Sequence, residues 1–359
     1  MRFSLKPWHL GALTVIGLGI GAATHGALAT SLRDVTLALF LPVLILEAAW
    51  QLDVREMRAA WRPISLLALP GVVVTASIIA VVAHYLAAFS WQAALVLGAV
   101  LSATDPVAVV AIFRRLRIPA RLTTIIESEA LLNDAVAVVI YRAVLGGTAF
   151  YAVVGSIGAV LVGFGMGALA GLAMDRRSLL IVSICVALIV AYASYGINHH
   201  FGWSGIFGVL SAGLMLSYRA LRRAGAAMHA TMGRSFALLA TTANIVLFVL
   251  IGAAVDPFGS LRGAWLSSTI VLLAMLLARI VVAYGLVRFV TPQRRSWLTV
   301  IRLAGVRGAL SLALVLALPV TLVQRDTIID AVFVCVIVTV LVASLSSPHR
   351  IEQLKLHSD

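Results

Sequence analysis

Charged side chains lie inside several of the long apolar segments of this sequence. An ionised group in the hydrocarbon region of a membrane costs roughly 2.5–3.5 kcal/mol on insertion scales, so the charges that remain there are candidates for a functional site. Carboxylates can take up a proton or supply the oxygen ligands that a hard cation requires. The charged residues within apolar segments include Glu47, Asp105, Glu127, Glu129, Asp134, Arg279, Arg302 and Arg307.

The spacing of the acids between residues 127 and 134 predicts that they face two directions. On a helix, Glu127 and Asp134 differ by only about 20° in azimuth and lie about 10.5 Å apart along the axis, so they line one path. Glu129 lies about 140° from Asp134, and Asn133 is one turn above Glu129 on its own face. One acid can therefore titrate while the other is neutralised.

Two apolar segments carry a charge beside residues that interrupt a helix. Asp105 precedes Pro106, which lacks a backbone donor, and Arg307 lies between Gly305 and Gly308. Interrupted helices at matching places in two halves of a chain predict the site of an inverted-repeat transporter. Half-helix ends carry partial charges of about half a unit, so Asp105 suits N-terminal ends and Arg307 suits C-terminal ends. The alternative is two kinks that only bend their helices.

The composition predicts that an all-α polytopic membrane protein positions these residues. Of 359 residues, 62% are apolar and 11% are charged, and the mean hydropathy is +1.07. Soluble chains carry about 25% charged residues, so the apolar residues here must face lipid. Twelve apolar runs are long enough to cross a membrane: 8–28, 35–50, 64–86, 91–113, 123–145, 149–174, 178–196, 202–218, 235–255, 264–287, 298–319 and 328–345.

The basic residues predict the orientation of these spans. With twelve spans, most of the 27 Lys and Arg residues fall on the side of the N-terminus, whereas Arg33, Arg262 and Arg325 fall on the other. Cytoplasmic loops retain basic residues, so both termini are expected in the cytoplasm. The net charge of +13 thus needs no nucleic-acid partner. We expect a transmembrane domain over residues 1–348 and a short cytoplasmic tail over residues 349–359.

Three intramembrane motifs resemble one family in their order and spacing. They are residues 104–109 (Thr-Asp-Pro-Val-Ala-Val), 129–134 (Glu-Ala-Leu-Leu-Asn-Asp) and 305–309 (Gly-Val-Arg-Gly-Ala). The sequence is similar to the Asn-Asp type of monovalent cation/proton antiporters, which includes bacterial sodium/proton antiporters and animal sodium/hydrogen exchangers. The likeness covers nearly the whole membrane part.

The resemblance implies a role for each matching residue. Asp134 would bind cation and proton in turn as the metal ligand, with Thr104, Asn133 and Asp105 completing the ion site. Glu129 and Arg279 would form a structural ion pair. Asp105 and Arg307 would compensate the helix dipoles, while Glu47 would line the cavity and Glu127 the entry funnel.

The resemblance also implies the architecture and the transport reaction. The interrupted segments would be the fourth and eleventh, crossing within a core bundle beside a dimerisation bundle, in a homodimer of the bacterial inner membrane. Exchange of Na⁺, or of Li⁺ or K⁺, for H⁺ would be electroneutral and would need no cofactor. Some relatives have a serine where this chain has Ala130, so the preferred cation stays open.

Two other classes are weighed against antiport. An intramembrane enzyme would need a second catalytic Asp with its own motif, an H-E-x-x-H helix or an Asp-rich loop, and the sequence has none of these. A cation channel would not require Asp105 and Arg307 on two interrupted helices. Antiport is therefore the preferred interpretation.

Overall fold

The computed structural model describes residues 16–17, 27–105, 119–146, 148–175, 179–253, 261–286, 297–298, 300–301, 305–316 and 318–353. All regular structure in these ranges is helical. The α-helices are α1 (Ala27–Gln51), α2 (Val54–Ala59), α3 (Trp61–Ala68), α4 (Pro70–Ala87), α5 (Trp91–Ser102), α6 (Ala120–Gly146), α7 (Ala149–Leu172), α8 (Leu180–His200), α9 (Gly205–Arg223), α10 (Ala226–Ala253), α11 (Leu261–Ile280), α12 (Ala309–Leu316) and α13 (Arg325–Gln353).

The described helices include four that are long and apolar enough to cross a membrane by length and composition. They are Trp61–Ala87, Ala149–Leu172, Leu180–His200 and Trp265–Leu286, and two shorter apolar helices are Ala38–Gln51 and Trp91–Ser102. The all-helical prediction is confirmed for the described part of the chain. The predicted first span, 8–28, lies almost wholly outside the described residues, so the number twelve stays a prediction.

The chain divides into two compact units. The first contains Asp34–Arg55 and Gly146–Val246, and the second contains the described residues of Glu56–Leu145 and Leu247–Asp359. In the first unit, α7 and α9 approach so closely that a Cβ atom at Gly163 or Gly167 would overlap a backbone carbonyl of α9. Small residues permit such contact between helices in lipid, where apolar side chains gain little from leaving the bilayer.

A buried aromatic cluster joins three helices of the first unit. The indole of Trp50, at the end of α1, stacks on the ring of His229 with 5.0 Å between centroids, and packs edge-on against Phe236. Trp50 Nε1 donates to the backbone carbonyl of His229 at 3.2 Å. The Ser217 hydroxyl of α9 lies 2.8 Å from His229 Nε2.

The second unit contains both interrupted segments. Helix α4 packs on α5 and α11, while α13 packs on α11, α12 and α5. Helix α5 ends at Ser102, and Ala103 follows in an extended conformation with φ −60° and ψ 138°. Residues 305–308 are non-helical, and α12 begins at Ala309. The predicted interruption of the eleventh segment is confirmed, and in the fourth segment α5 ends where a break is predicted; Pro106 and residues 107–118 lie outside the described residues.

Candidate functional site

The two interruptions meet through direct hydrogen bonds. The backbone N–H of Asp105 donates to the carbonyl of Val306 at 2.8 Å. Five residues away along each segment, the Ser311 hydroxyl donates to the carbonyl of Val100 at 3.0 Å. Lipid offers no partner for the polar backbone groups that a broken helix releases, so the two broken segments satisfy part of each other's hydrogen bonding.

The side chain of Arg307, from the eleventh segment, lies at the C-terminal end of α5. Its Nη1 atom donates to the carbonyls of Ser102 and Ala103 at 3.0 and 2.9 Å, and its Nε atom lies 3.2 Å from Met275 Sδ. The residue is only 1% exposed. The last carbonyls of a helix lack intrahelical partners and carry the negative end of the dipole, so a guanidinium there supplies both donors and positive charge.

The carboxylate of Asp105 lies against Gly308, immediately before α12. A Cβ atom at Gly308 would overlap Asp105 Oδ2, Cγ and Cβ. Only glycine leaves room for this approach. The carboxylate therefore lies at the N-terminal end of α12, where the helix dipole is positive.

Asp134 and Asn133 project from α6 towards the end of α5. Asn133 Nδ2 donates to the Thr104 hydroxyl at 3.1 Å. Asn133 Oδ1 and Asp134 Oδ1 are enclosed and have no hydrogen-bond partner among the described residues. Asp105, Glu129 and Arg307 are the charged neighbours of Asp134. Enclosed oxygen atoms without donors are unfavourable, and a cation or a proton would satisfy them.

Glu129 and Arg279 form a buried bidentate ion pair between α6 and α11. Arg279 Nη1 and Nη2 donate to the two Glu129 carboxylate oxygens at 2.7 and 3.1 Å. Arg279 Nε and Nη2 also donate to the carbonyl of Ile301 at 3.2 and 2.9 Å. A Cβ atom at Gly305 would lie 2.7 Å from Arg279 Nε, so this glycine makes room for the guanidinium.

The remaining residues named from the sequence are Glu127, Glu47 and Arg302. Glu127 is half-buried on α6. Glu47 lies on α1 in the first unit, where Gln51 Nε2 donates to its carboxylate. Arg302 lies outside the described residues. The roles expected for Glu127 and Glu47 stay predictions.

Sequence reasoning did not single out three residues of the second unit. Met275 and Thr339 contact Arg307, but both are uncharged, so selecting charged residues within apolar segments does not identify them. Asp330 on α13 is a buried acid, and its place inside the predicted span 328–345 was the available signal.

Comparisons with known proteins agree with this fold. The family model described as "Sodium/hydrogen exchanger, transmembrane" matches residues 10–349. The Na(+)/H(+) antiporter ApNhaP of Aphanothece halophytica is 34% identical over 97% of this chain and 70% of its own length. The Na(+)/H(+) antiporter NhaS2 of Synechocystis sp. is 32% identical over 95% of this chain and 66% of its own length.

A solved structure has the same fold. The sodium proton antiporter MjNhaP1 from Methanocaldococcus jannaschii at pH 8 matches with a TM-score of 0.81 over 93% of this chain and 92% of that chain. The sequence identity of 19% means that this likeness concerns the fold alone.

The class that fold and site define is that of polytopic secondary transporters, not of enzymes. The chain belongs to the sodium/hydrogen exchanger family. It is a monovalent cation/proton antiporter. The predicted family, fold class and type of transport are thereby confirmed.

Proposed function

We propose that Na⁺ and H⁺ compete for the carboxylate of Asp134. The observation that carries this proposal is the pair of enclosed oxygen atoms, Asp134 Oδ1 and Asn133 Oδ1, which have no hydrogen-bond partner among the described residues. The Thr104 hydroxyl accepts from Asn133 and can offer a further oxygen lone pair, and Asp105 adds negative charge nearby. These four residues form the proposed ion site.

Competition follows from the chemistry of one carboxylate. A hard cation binds to ionised oxygen, and a protonated carboxyl group loses both the charge and part of the ligand capacity. Na⁺ and H⁺ therefore exclude each other at Asp134. Movement of the loaded site between the two membrane faces then exchanges one ion for the other without ATP.

The ion pair of Glu129 with Arg279 supports an electroneutral cycle. Arg279 neutralises Glu129, and Asn133 cannot take up a proton, so Asp134 is the group in this motif that we expect to titrate. One proton then exchanges for one monovalent cation. Na⁺ is the favoured substrate because the relatives ApNhaP and NhaS2 are Na(+)/H(+) antiporters, with Li⁺ and K⁺ as the alternatives to be tested.

The cellular setting completes the proposal. Bacterial relatives support the inner membrane as the location, and the basic loops support cytoplasmic termini. We expect a homodimer in the lipid bilayer, with residues 1–348 as the membrane domain and 349–359 as a cytoplasmic tail.

Purified protein in proteoliposomes tests the assignment of Asp134. With an imposed pH gradient, addition of Na⁺ should dissipate the gradient, and Asp134→Asn should abolish this response while the protein remains folded. Asp326→Asn is the matched control, because the side chain of this acid is 89% exposed and pairs with its neighbour Arg325 at 3.3 Å. Exchange by Asp134→Asn at the wild-type rate would contradict the proposal.

Electrical measurements test the stoichiometry. Clamping the membrane potential with potassium and valinomycin should leave the rate of Na⁺/H⁺ exchange unchanged. A steady potential generated by exchange would contradict the ratio of one to one.

A further inference from the structure

Thr339 on α13 faces the interruption of the eleventh segment and is buried. Its hydroxyl oxygen lies 2.8 Å from the carbonyl of Cys335 and 3.1 Å from that of Val336, both on its own helix. The backbone nitrogen of Arg307 lies 3.4 Å from the same oxygen. A hydroxyl has one proton, and here the carbonyls of α13 take it. Towards Arg307 the hydroxyl therefore acts as an acceptor.

The Arg307 N–H needs this acceptor because the helix is interrupted there. Residues 305–308 are non-helical, so this donor is released from the regular pattern of a helix. An unsatisfied N–H is strongly unfavourable in a membrane interior, where water is absent. Through the Thr339 hydroxyl, helix α13 thus accepts a hydrogen bond from the backbone N–H of Arg307 at the interruption.

A continuous series of contacts leads from Thr339 to the ion site. The backbone of Arg307 determines where its guanidinium lies, and Nη1 of that group holds the carbonyls of Ser102 and Ala103. The next residue along the chain is Thr104, whose hydroxyl accepts from Asn133. A shift of the Arg307 backbone would therefore move the end of α5 and the oxygen atoms beside Asp134.

We propose that Thr339 is a positioning residue for cation binding, which acts through the backbone of Arg307. This inference rests on the function proposed for Asp134 and extends it to a residue on α13. This positioning role requires the hydroxyl group of Thr339 and does not require its methyl group. The effect appears in the apparent affinity for Na⁺, because the ligand geometry changes while Asp134 itself stays in place.

Thr75 provides a matched control within the second unit. It is also a buried threonine, and its hydroxyl donates to the carbonyl of Gly71, four residues earlier, at 2.8 Å. Thr75→Val removes the same hydroxyl and the same type of bond within a helix. It does not touch either interruption, so it reports the effect of losing a buried hydroxyl alone.

The experiment measures Na⁺/H⁺ exchange in proteoliposomes as a function of Na⁺ concentration. Thr339→Val should raise the KM for Na⁺ by about fivefold, the factor at the lower end of the cost of leaving a buried N–H without an acceptor, with a smaller change in kcat. Thr339→Ser should keep the wild-type KM. Thr75→Val should lower the melting temperature in detergent less than Thr339→Val, because it leaves no backbone N–H without an acceptor, and should leave the KM within twofold of wild type.

Each outcome decides between a positioning role and a structural one. An unchanged KM in Thr339→Val, or an equal rise in Thr339→Ser, would overturn the inference. If Thr339→Val does not fold, Thr339→Ala and Thr339→Ser are compared instead, because they differ only in the hydroxyl, and equal KM values would overturn it. Wild-type protein that shows no Na⁺-dependent exchange would contradict the proposed function itself, whereas active wild type with a normal Thr339→Val contradicts only the role of Thr339.

Discussion

The ion pair of Glu129 with Arg279 offers the sharpest test of the packing between α6 and α11. Arg279 makes four hydrogen bonds, two to the Glu129 carboxylate and two to the Ile301 carbonyl. Both residues are buried, with 1% of Glu129 and 6% of Arg279 exposed. Removal of either partner therefore leaves a charge in a place that water does not reach.

The contacts predict unequal losses for the two single variants. Glu129→Gln leaves the Arg279 charge with only a neutral amide and the Ile301 carbonyl, and loss of one partner of a buried pair costs about 3–5 kcal/mol. Arg279→Met leaves the Glu129 carboxylate unpaired and also removes both donors from Ile301, which adds about 1–3 kcal/mol. The double variant contains no unpaired charge. It should lose only the roughly 1–3 kcal/mol of the Ile301 carbonyl and should be more stable than either single variant.

Thermal unfolding in detergent measures this order. The expected ranking of melting temperatures is wild type, then the double variant, then Glu129→Gln, then Arg279→Met. Asp326→Asn removes an exposed ion pair with Arg325 and should change stability by less than about 1 kcal/mol. A double variant whose loss equals the sum of the two single losses would refute the reasoning, because independent residues have additive effects.

Three further predictions follow from other parts of the structure. Gly308→Ala should reduce exchange at least tenfold, because the added Cβ displaces the Asp105 carboxylate from α12. Gly165→Ala is the control and should not reduce exchange, because its added Cβ meets no atom within 4 Å. Equal activities of the two variants would contradict this prediction. Glu127→Gln should raise the KM for Na⁺ and leave the stoichiometry at one to one, as measured under a clamped potential; a changed stoichiometry would make Glu127 a second proton carrier. Burial lowers the pKa of His229 from its ordinary value of 6.5, so the neutral ring is favoured in the folded state and stability should fall as the pH drops below about 6.5. His229→Gln should flatten that dependence in melting experiments from pH 5 to 8, and an unchanged slope would assign it to other groups.

Local features of the sequence were sufficient to predict both helix interruptions. Pro106 and the pair Gly305 and Gly308 act on their own backbone, by loss of a donor or of a side chain, and this effect does not depend on distant residues. The same holds for the azimuths along α6, because the helical repeat alone relates Glu127, Glu129 and Asp134. Composition predicted the membrane environment for a similar reason, since the hydropathy of a chain is a sum over its residues and does not depend on how they pack.

The partners of these groups were decided only by the tertiary structure. Arg307 donates to Ser102 and Ala103, more than 200 residues earlier in the chain, and no periodicity relates two such positions. The contacts of Met275 and Thr339 with Arg307 likewise depend on how α11 and α13 pack on the interruption. Position 308 requires glycine because the Asp105 carboxylate occupies the space where a Cβ atom would lie, and only the folded structure brings these two residues together. A sequence determines which backbone groups a break releases, but packing between helices decides which side chains satisfy them.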